Sequence, residues 1–455
     1  MRAFPSFRGP IDPVGYAIAA PALVLTQHLA VAIAYAWFRF PLAPDAGFWL
    51  LPLRRLAELP NLPPWAAALG FVVCLAISWA LAALAFRRAN RAGYAYLLAG
   101  LAVVPGVQIG ATLLLVILPG QTDALDDERA VGSNAAHILQ GALAGVSIIV
   151  LAVLISAVTF GAYGWGLFVM TPFLVGLATA YIANREIALP RGRTTLLVMA
   201  AAGLGTLALI MCALEGLVCV LLASPLGAIA ALAGGGIGRA LAALGHRRGK
   251  PLLCVALLPA VFAVEAAAPP AVPIELQESI DIDAPPALVW QTLTSSDPIG
   301  TPPWAVARAG FAYPIRARLL GEGVGAERIS QFSTGIARER ITEWAPSRRL
   351  SFILLNQPPM MEEMSPYRRV HAPHVSGYFL TTRTSFELER LAGDRTRLIL
   401  KDSHILRLDP ALYWEPMARW AIARNVDRVL GSIKRRAERP HQPLHSWLFP
   451  QPKQA

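Results

Sequence analysis

Two hydrophobic patterns divide the chain. Up to about residue 270 the apolar residues come in long blocks, each near the roughly 20 residues that a helix needs to cross about 30 Å of hydrocarbon. The blocks fall near 15–38, 66–86, 94–118, 138–159, 164–183, 195–214, 215–237 and 251–268. From residue 274 the pattern becomes alternation. IELQESIDIDA (274–284) sets Ile274, Leu276, Ile280 and Ile282 against Glu, Gln and Asp, as a half-buried strand does. Pro285-Pro286 ends it, and PALVWQTLTSSD opens a short helix with Leu288, Val289 and Leu293 on one side. Strand patterns continue through IRARLL (315–320), AERISQFSTG (326–335), IARERITEWAP, RLSFILLNQ, SGYFLTTRTSFELERL and RTRLILKDSHILRL. GEGVG (321–325) and AGD (392–394) read as turns. A helix from Pro410 to Arg439 closes the pattern: Ala418, Ile422, Val426, Val429, Ile433 and Ala437 recur at spacings of three and four. Arg419, Arg424, Arg428 and Arg435 take its other side, and the Pro-rich segment 440–455 reads as a disordered tail.

Composition supports a membrane half. The 455 residues are 55% hydrophobic and 15% charged, with a mean hydropathy of +0.50; soluble domains carry about 25% charge. Residues 1–273 hold 16 Lys or Arg against 10 Asp or Glu, and the remainder 24 against 19, so the net charge of +11 is no basic tail. Without a Lys/Arg stripe and interleaved aromatics, nucleic acid is excluded as a partner; positive charge beside spans fits the positive-inside rule and anionic headgroups. Cys74, Cys212, Cys219 and Cys254 all lie in apolar stretches with no CxxC spacing, so they read as small buried hydrophobes.

The first block, despite Ala34-Tyr35-Ala36 resembling a cleavage site, is too long for a signal peptide and reads as an anchor. RRANR (87–91) favours the cytoplasm and DALDDER (123–129) the other side. If 138–183 crosses once, there are seven crossings and the C-terminal half lies outside the inner membrane; if GAYGWG (161–166) turns between two full spans, there are eight and it is cytoplasmic. The charge rule favours the outside, because REIALPRGR (185–193) and GHRRGK (245–250) are then cytoplasmic. His28 and Glu215 are the ionisable residues of note in the spans, Glu215 reading as a cap near an interface with water. No repeated pair of broken helices suggests a transporter, so this half reads as anchor or scaffold.

The segment 274–439 resembles the helix-grip domain of the START-like (SRPBCC) superfamily, which includes Bet v 1-type allergens, lipid-transfer START domains and polyketide cyclases. IDIDAPPALVW, GVGAERISQFSTG, ITEWAPSRRLSF, TRTSFELERLAGDRTRLIL and PALYWEPMARW…VLGSIKRRAE carry the resemblance. Its union with a multi-span region also resembles bacterial membrane proteins of that superfamily with no assigned reaction. The fold class expected is a polytopic α-helical membrane domain over 1–270 plus an α+β helix-grip domain, a curved antiparallel sheet around the long C-terminal helix. The resemblance implies an apolar cavity between sheet and helix, for which Trp290, Phe332, Tyr378, Tyr413, Trp414, Met417 and Ile422 are the lining candidates. It also implies entry past a rim loop; QPPMMEEMSPYRRVHAPHV (357–375) offers Met360, Met361, Met364 and Tyr367 as a lid.

Chemistry is sparse. HAPH (371–374) with His404 lacks metal-ligand spacing, so neither metal nor cofactor is expected. Arg338, Glu339, Arg340 and Glu343 read as a solvated strand face with cross-strand ion pairs; any of them pointing inward would be a buried charge able to fix a ligand headgroup. Asp402 and His404 share a strand face and form the one pairing with acid–base potential, with Tyr378, Arg383 and Tyr413 as possible companions. GEGVG joins two strands and so is no phosphate loop, and Trp344 and Trp420 read as core or cavity lining. The first expectation is a bilayer-anchored domain that binds a hydrophobic small molecule, a lipid above all. The alternatives are a cyclase or dehydratase using the same cavity, and a ligand-responsive sensor or scaffold. Oligomeric state is left open.

Overall fold

A computed structural model describes residues 11–439 except 51, 53–54, 56–58, 60–63, 92–95, 104–106, 119–127, 187, 212–213, 245–250, 301–303 and 364–374. Met364, Tyr367, the HAPH motif and the tail from Pro440 therefore lie outside the described residues. The chain forms two units, one of residues 1–270 with 363–374, the other of 271–362 with 375–455.

The first unit is helical: α1 (Pro13–Trp37), α2 (Ala46–Leu50), α3 (Pro64–Arg91), α4 (Tyr96–Leu101), α5 (Gln108–Ile117), α6 (Glu128–Val153), α7 (Thr171–Asn184), α8 (Arg191–Met211), α9 (Leu217–Ala243) and α10 (Leu258–Ala267). Among the described residues, five helical stretches are long and apolar enough to cross a membrane: Pro13–Trp37, Gln140–Ala157, Gly166–Asn184, Arg191–Ile210 and Leu217–Ala243. Gln108–Ile117 and Cys254–Ala267 are apolar but shorter. The span-length helices expose aliphatic side chains such as Ile18 at 68%, Leu196 at 71% and Ile229 at 69%.

Glycine sets how closely these helices approach. A Cβ at Gly141 would meet the Thr179 backbone at 2.7 Å, and one at Gly145 would lie 3.2 Å from Val175. Contacts that pair 141 with 179 and 145 with 175 run in opposite directions along the two helices. The 138–183 stretch is therefore an antiparallel hairpin of two span-length helices, turning at Gly161 in the left-handed region (φ 61°). This is the arrangement expected if GAYGWG turns between two full spans, the alternative that the charge rule does not favour. Glu215 is also not at a wet interface: it is buried, and its Oε1 accepts a hydrogen bond from Tyr163 Oη at 3.1 Å. His28 is buried with Nδ1 2.8 Å from the Val24 carbonyl and Nε2 3.0 Å from that of Trp49, a tie between α1 and α2.

The second unit holds seven strands: β1 (Val272–Ile282), β2 (Pro314–Leu320), β3 (Glu327–Phe332), β4 (Gly335–Ala345), β5 (Arg349–Asn356), β6 (Phe379–Leu391) and β7 (Arg395–Leu406). It also holds the helices α11 (Pro286–Thr294), α12 (Trp304–Arg308) and α13 (Ala411–Ala437). The strands make one curved antiparallel sheet in the order β1-β7-β6-β5-β4-β3-β2. Consecutive strands from β2 to β7 are neighbours and β1 closes beside β7, so a single long helix has one face to cover. This is the helix-grip arrangement. Gly321, Gly323 and Gly325 take positive φ (95°, 95° and 90°), which lets GEGVG reverse the chain between β2 and β3.

On α13 the expected stripe is buried at Ile422, Val426, Ile433 and Ala437, with Leu430 added. Arg428 departs from its expected solvent side. It is buried, donates to the carbonyls of Gly300 (2.6 Å) and Pro314, and lies over the Tyr313 ring at 5.3 Å. Burial lowers its pKa, and the two carbonyls hold the guanidinium as the clamp between α13 and the start of β2. Trp420, at 44% exposed, is not core.

Candidate functional site

Cross-strand partners share a face, so the register sorts the strand residues. On β1 and β7, Ile274 opposes His404, Leu276 opposes Asp402, Glu278 opposes Leu400 and Ile280 opposes Leu398. The same rows continue on β6 with Thr381, Thr384, Phe386 and Leu388, and on β5 with Phe352 and Leu350. They reach Ile341, Trp344 and Glu339 on β4 and Arg328 and Ser330 on β3. This is the apolar face that α13 and α11 cover. The other face carries the ion pairs Arg349–Glu343 (3.2 Å), Arg349–Glu387 (3.2 Å) and Lys401–Glu387 (2.9 Å). Asp281 joins them there, its carboxyl held below the usual range by the Arg397 hydrogen bond.

The inner face is closed at one end and partly exposed along β6 at the other. Leu398, Leu400, Leu388, Phe386 and Leu350 are buried, and Trp290 of α11 packs edge-on against Trp344 with centroids 5.1 Å apart. Farther along the central strands β6 and β7, Phe379, Thr381, Thr384 and Asp402 remain partly exposed. A line of polar contacts crosses the sheet at this end. Glu339, 2% exposed, pairs with Arg328, which also donates to Ser330 Oγ at 2.8 Å. The Arg328 guanidinium lies 4.3 Å above the Phe352 ring. Phe352 opposes Thr384, whose hydroxyl donates to Asp402 Oδ1. Asp402 Oδ2 is 3.5 Å from His404 Nε2, His404 Nδ1 is 3.0 Å from Thr381 Oγ1, and Phe379 stacks on the imidazole at 4.9 Å.

Sequence-level candidates distribute unevenly over this geometry. Asp402, His404 and Phe332 lie on the inner face, and Glu339 is the one member of the charged run of β4 that points inward. Arg338 and Glu343 stay on the outer side in exposed pairs with Glu327 (3.7 Å) and Arg349. Arg383 opposes Ser403 and is exposed, so it does not join Asp402 and His404. Trp290, Trp414 and Ile422 are buried, Met417 is partly so, and Tyr413 meets Trp414 edge-on at 5.1 Å. Tyr378 is half-buried, and burial raises its phenol pKa. Met360 and Met361 are tied down: Met360 N donates to Val375 O at 2.9 Å, Ala312 N to Met360 O at 2.8 Å, and Met361 bridges Phe311. Thr381, Thr384 and Arg328 carried no sequence signal. A bulge between Thr381 and Arg383 shifts the alternation of β6, which puts residues three apart on one face.

The geometry permits two states of His404. With the proton on Nδ1, the ring donates to Thr381 and presents the Nε2 lone pair beside a carboxylate. With the proton on Nε2, it points toward Asp402 at a distance longer than a good hydrogen bond. His404 is 5% exposed and Nε2 makes no hydrogen bond. A group of three or more His, Cys, Asp and Glu able to hold a metal ion does not occur among the described residues.

No protein-family model matches the chain, and no curated protein matches it. Solved structures similar to it cover the sheet region. The Zhui aromatase/cyclase from Streptomyces is 17% identical over 37% of this chain and 94% of its own, with a TM-score of 0.25. A Thermus thermophilus protein is 13% identical over 36% and 97%, TM-score 0.24. Truncated norcoclaurine synthase from Thalictrum flavum is 10% identical over 35% and 93%, TM-score 0.23.

Proposed function

We propose that this is a membrane-anchored START-like protein whose helix-grip unit binds a hydrophobic molecule, a lipid above all, at the partly exposed end of its inner sheet face. The observation that carries the reading is the graded burial along the inner side of β6. Side chains on the side a helix covers close off at Phe386 and Leu388 yet stay partly accessible at Phe379, Thr381 and Thr384, and at Asp402 of β7, while His404 and Leu406 are buried. A core built only for stability gains nothing from leaving that end unfilled. At about 0.8 kcal/mol per buried methylene, an alkyl chain seated there supplies useful affinity. Four residues separate α10 from β1, a tether short enough to raise the effective concentration of a membrane-derived ligand. The full chain, purified in mild detergent and extracted for mass spectrometry, is expected to yield a bound hydrophobic molecule that Thr384→Trp displaces without loss of β6–β7 amide protection. Failure to find one, together with no protection of an added fluorescent acyl probe, would sink the reading.

The antiparallel hairpin of Gln140–Ala157 and Gly166–Asn184 supports eight crossings and a cytoplasmic helix-grip unit. In this arrangement the basic loops 185–193 and 245–250 lie outside, against the positive-inside rule. An alkaline phosphatase fusion after Pro440 is expected to be inactive while a fluorescent-protein fusion at the same position matures; an active phosphatase would reverse the assignment.

A further inference from the structure

We infer that the ligand of the partly exposed inner face presents a protonated amine to Asp402 and His404, and that carboxylate-headed lipids are discriminated against. The inference rests on the binding reading above and names the head of the molecule. It follows from the charges that face this surface. On β7 they are Asp402 and the imidazole of His404; on β1, Glu278; on β4 and β3, the pair Glu339–Arg328. From α13, Arg428 is fixed to the carbonyls of Gly300 and Pro314 at the β2 edge, five strand positions from β7. Arg436 is turned to Ser295 Oγ (3.1 Å) and Asp297 (3.4 Å) beyond α11. The sequence of α11, PALVWQTLT, has no ionisable residue.

Arg328 is thus committed to Glu339 and held over Phe352, and among the described residues Asp402 meets the Thr384 hydroxyl and the imidazole. A carboxylate entering here would meet a second carboxyl group beside it, whereas an ammonium would bring N–H donors to a spot where the described residues place no Lys or Arg. An independent observation marks the same spot: His404 Nε2 is buried, without a hydrogen-bond partner, and 3.5 Å from Asp402 Oδ2. A single N–H-bearing head placed about 2.9 Å from both atoms satisfies the imidazole lone pair and the carboxylate together. Phe379, stacked on His404 and partly exposed, provides apolar surface for the body of the molecule.

The test uses the full chain in phosphatidylcholine nanodiscs and three dansyl alkyl probes of one chain length, ending in a primary ammonium, a hydroxyl or a carboxylate. At pH 7 the ammonium probe is expected to bind at least about tenfold tighter than the carboxylate probe, about 1.4 kcal/mol. Asp402→Asn should bring it near the hydroxyl probe, whereas Asp402→Glu should keep the preference; β6–β7 amide protection verifies that each variant is folded. Tightest binding by the carboxylate probe, or an ammonium preference unchanged in Asp402→Asn, overturns the inference and leaves the binding reading standing. Binding of none of the three overturns both.

Discussion

Gly234→Leu is expected to abolish the packing of α7 on α9 and, with it, the folded helical unit. The two helices meet backbone to backbone. A Cβ at Gly234 would stand 1.9 Å from the Phe173 carbonyl oxygen, one at Gly238 would stand 2.3 Å from that of Leu177, and one at Gly176, from the facing helix, 1.8 Å from that of Ala231. Atoms of a peptide bond cannot swing away as a flexible side chain can, so a leucine forces the helices apart along their whole contact. Overpacking of a tolerant core costs about 1–3 kcal/mol; here the obstruction is main chain, and the loss is expected at or above the top of that range. Helices in a bilayer lack a hydrophobic drive to stay together and depend on such close approach, so separation is not offset by burial elsewhere. Gly236, between them in sequence, has nothing within 4 Å of its Cβ position. Gly236→Ala should be neutral or gain about 0.5–1 kcal/mol of helix propensity. Size-exclusion profiles and thermal melts of the three proteins in detergent distinguish these outcomes: an aggregated or absent peak for Gly234→Leu, and a native peak for Gly236→Ala.

Why the fold was legible and the site only partly so has a physical explanation. Strand ends and the α13 stripe follow from local period: β1 was read from 274 and spans Val272–Ile282, and the helix read as Pro410–Arg439 spans Ala411–Ala437. Arg428 broke the reading because burial of an arginine depends on two carbonyls more than 100 residues away in the chain, at Gly300 and Pro314. Asp402 and His404 share the face expected of them because spacing by two on a regular strand fixes it. Their partners were missed because the bulge in β6 alters spacing by one residue, and the pairing of β3 with β4 decides that Arg328 meets Glu339. The hairpin of 138–183 rests on contacts such as that between Gly141 and Thr179, residues whose proximity no hydropathy profile contains.

Arg328→Met is expected to destabilise the helix-grip unit by about 3–5 kcal/mol, the loss that follows when one partner of a buried ion pair is removed. Glu339 has a side chain 3% exposed and Arg328 one at 14%, so the carboxylate left behind cannot recover its solvation without opening the sheet. Ser330 would lose its contact with the guanidinium, and the Phe352 ring its cation. The double variant Arg328→Met with Glu339→Leu should regain most of the deficit, because removing both charges also removes the desolvation that the pair offsets. A shortfall in the double variant equal to that of the single one would mean that packing around the arginine stem, and not the stranded charge, carries the effect. Amide exchange of β3 and β4 in the intact protein should show protection lost in Arg328→Met and largely restored in the double variant.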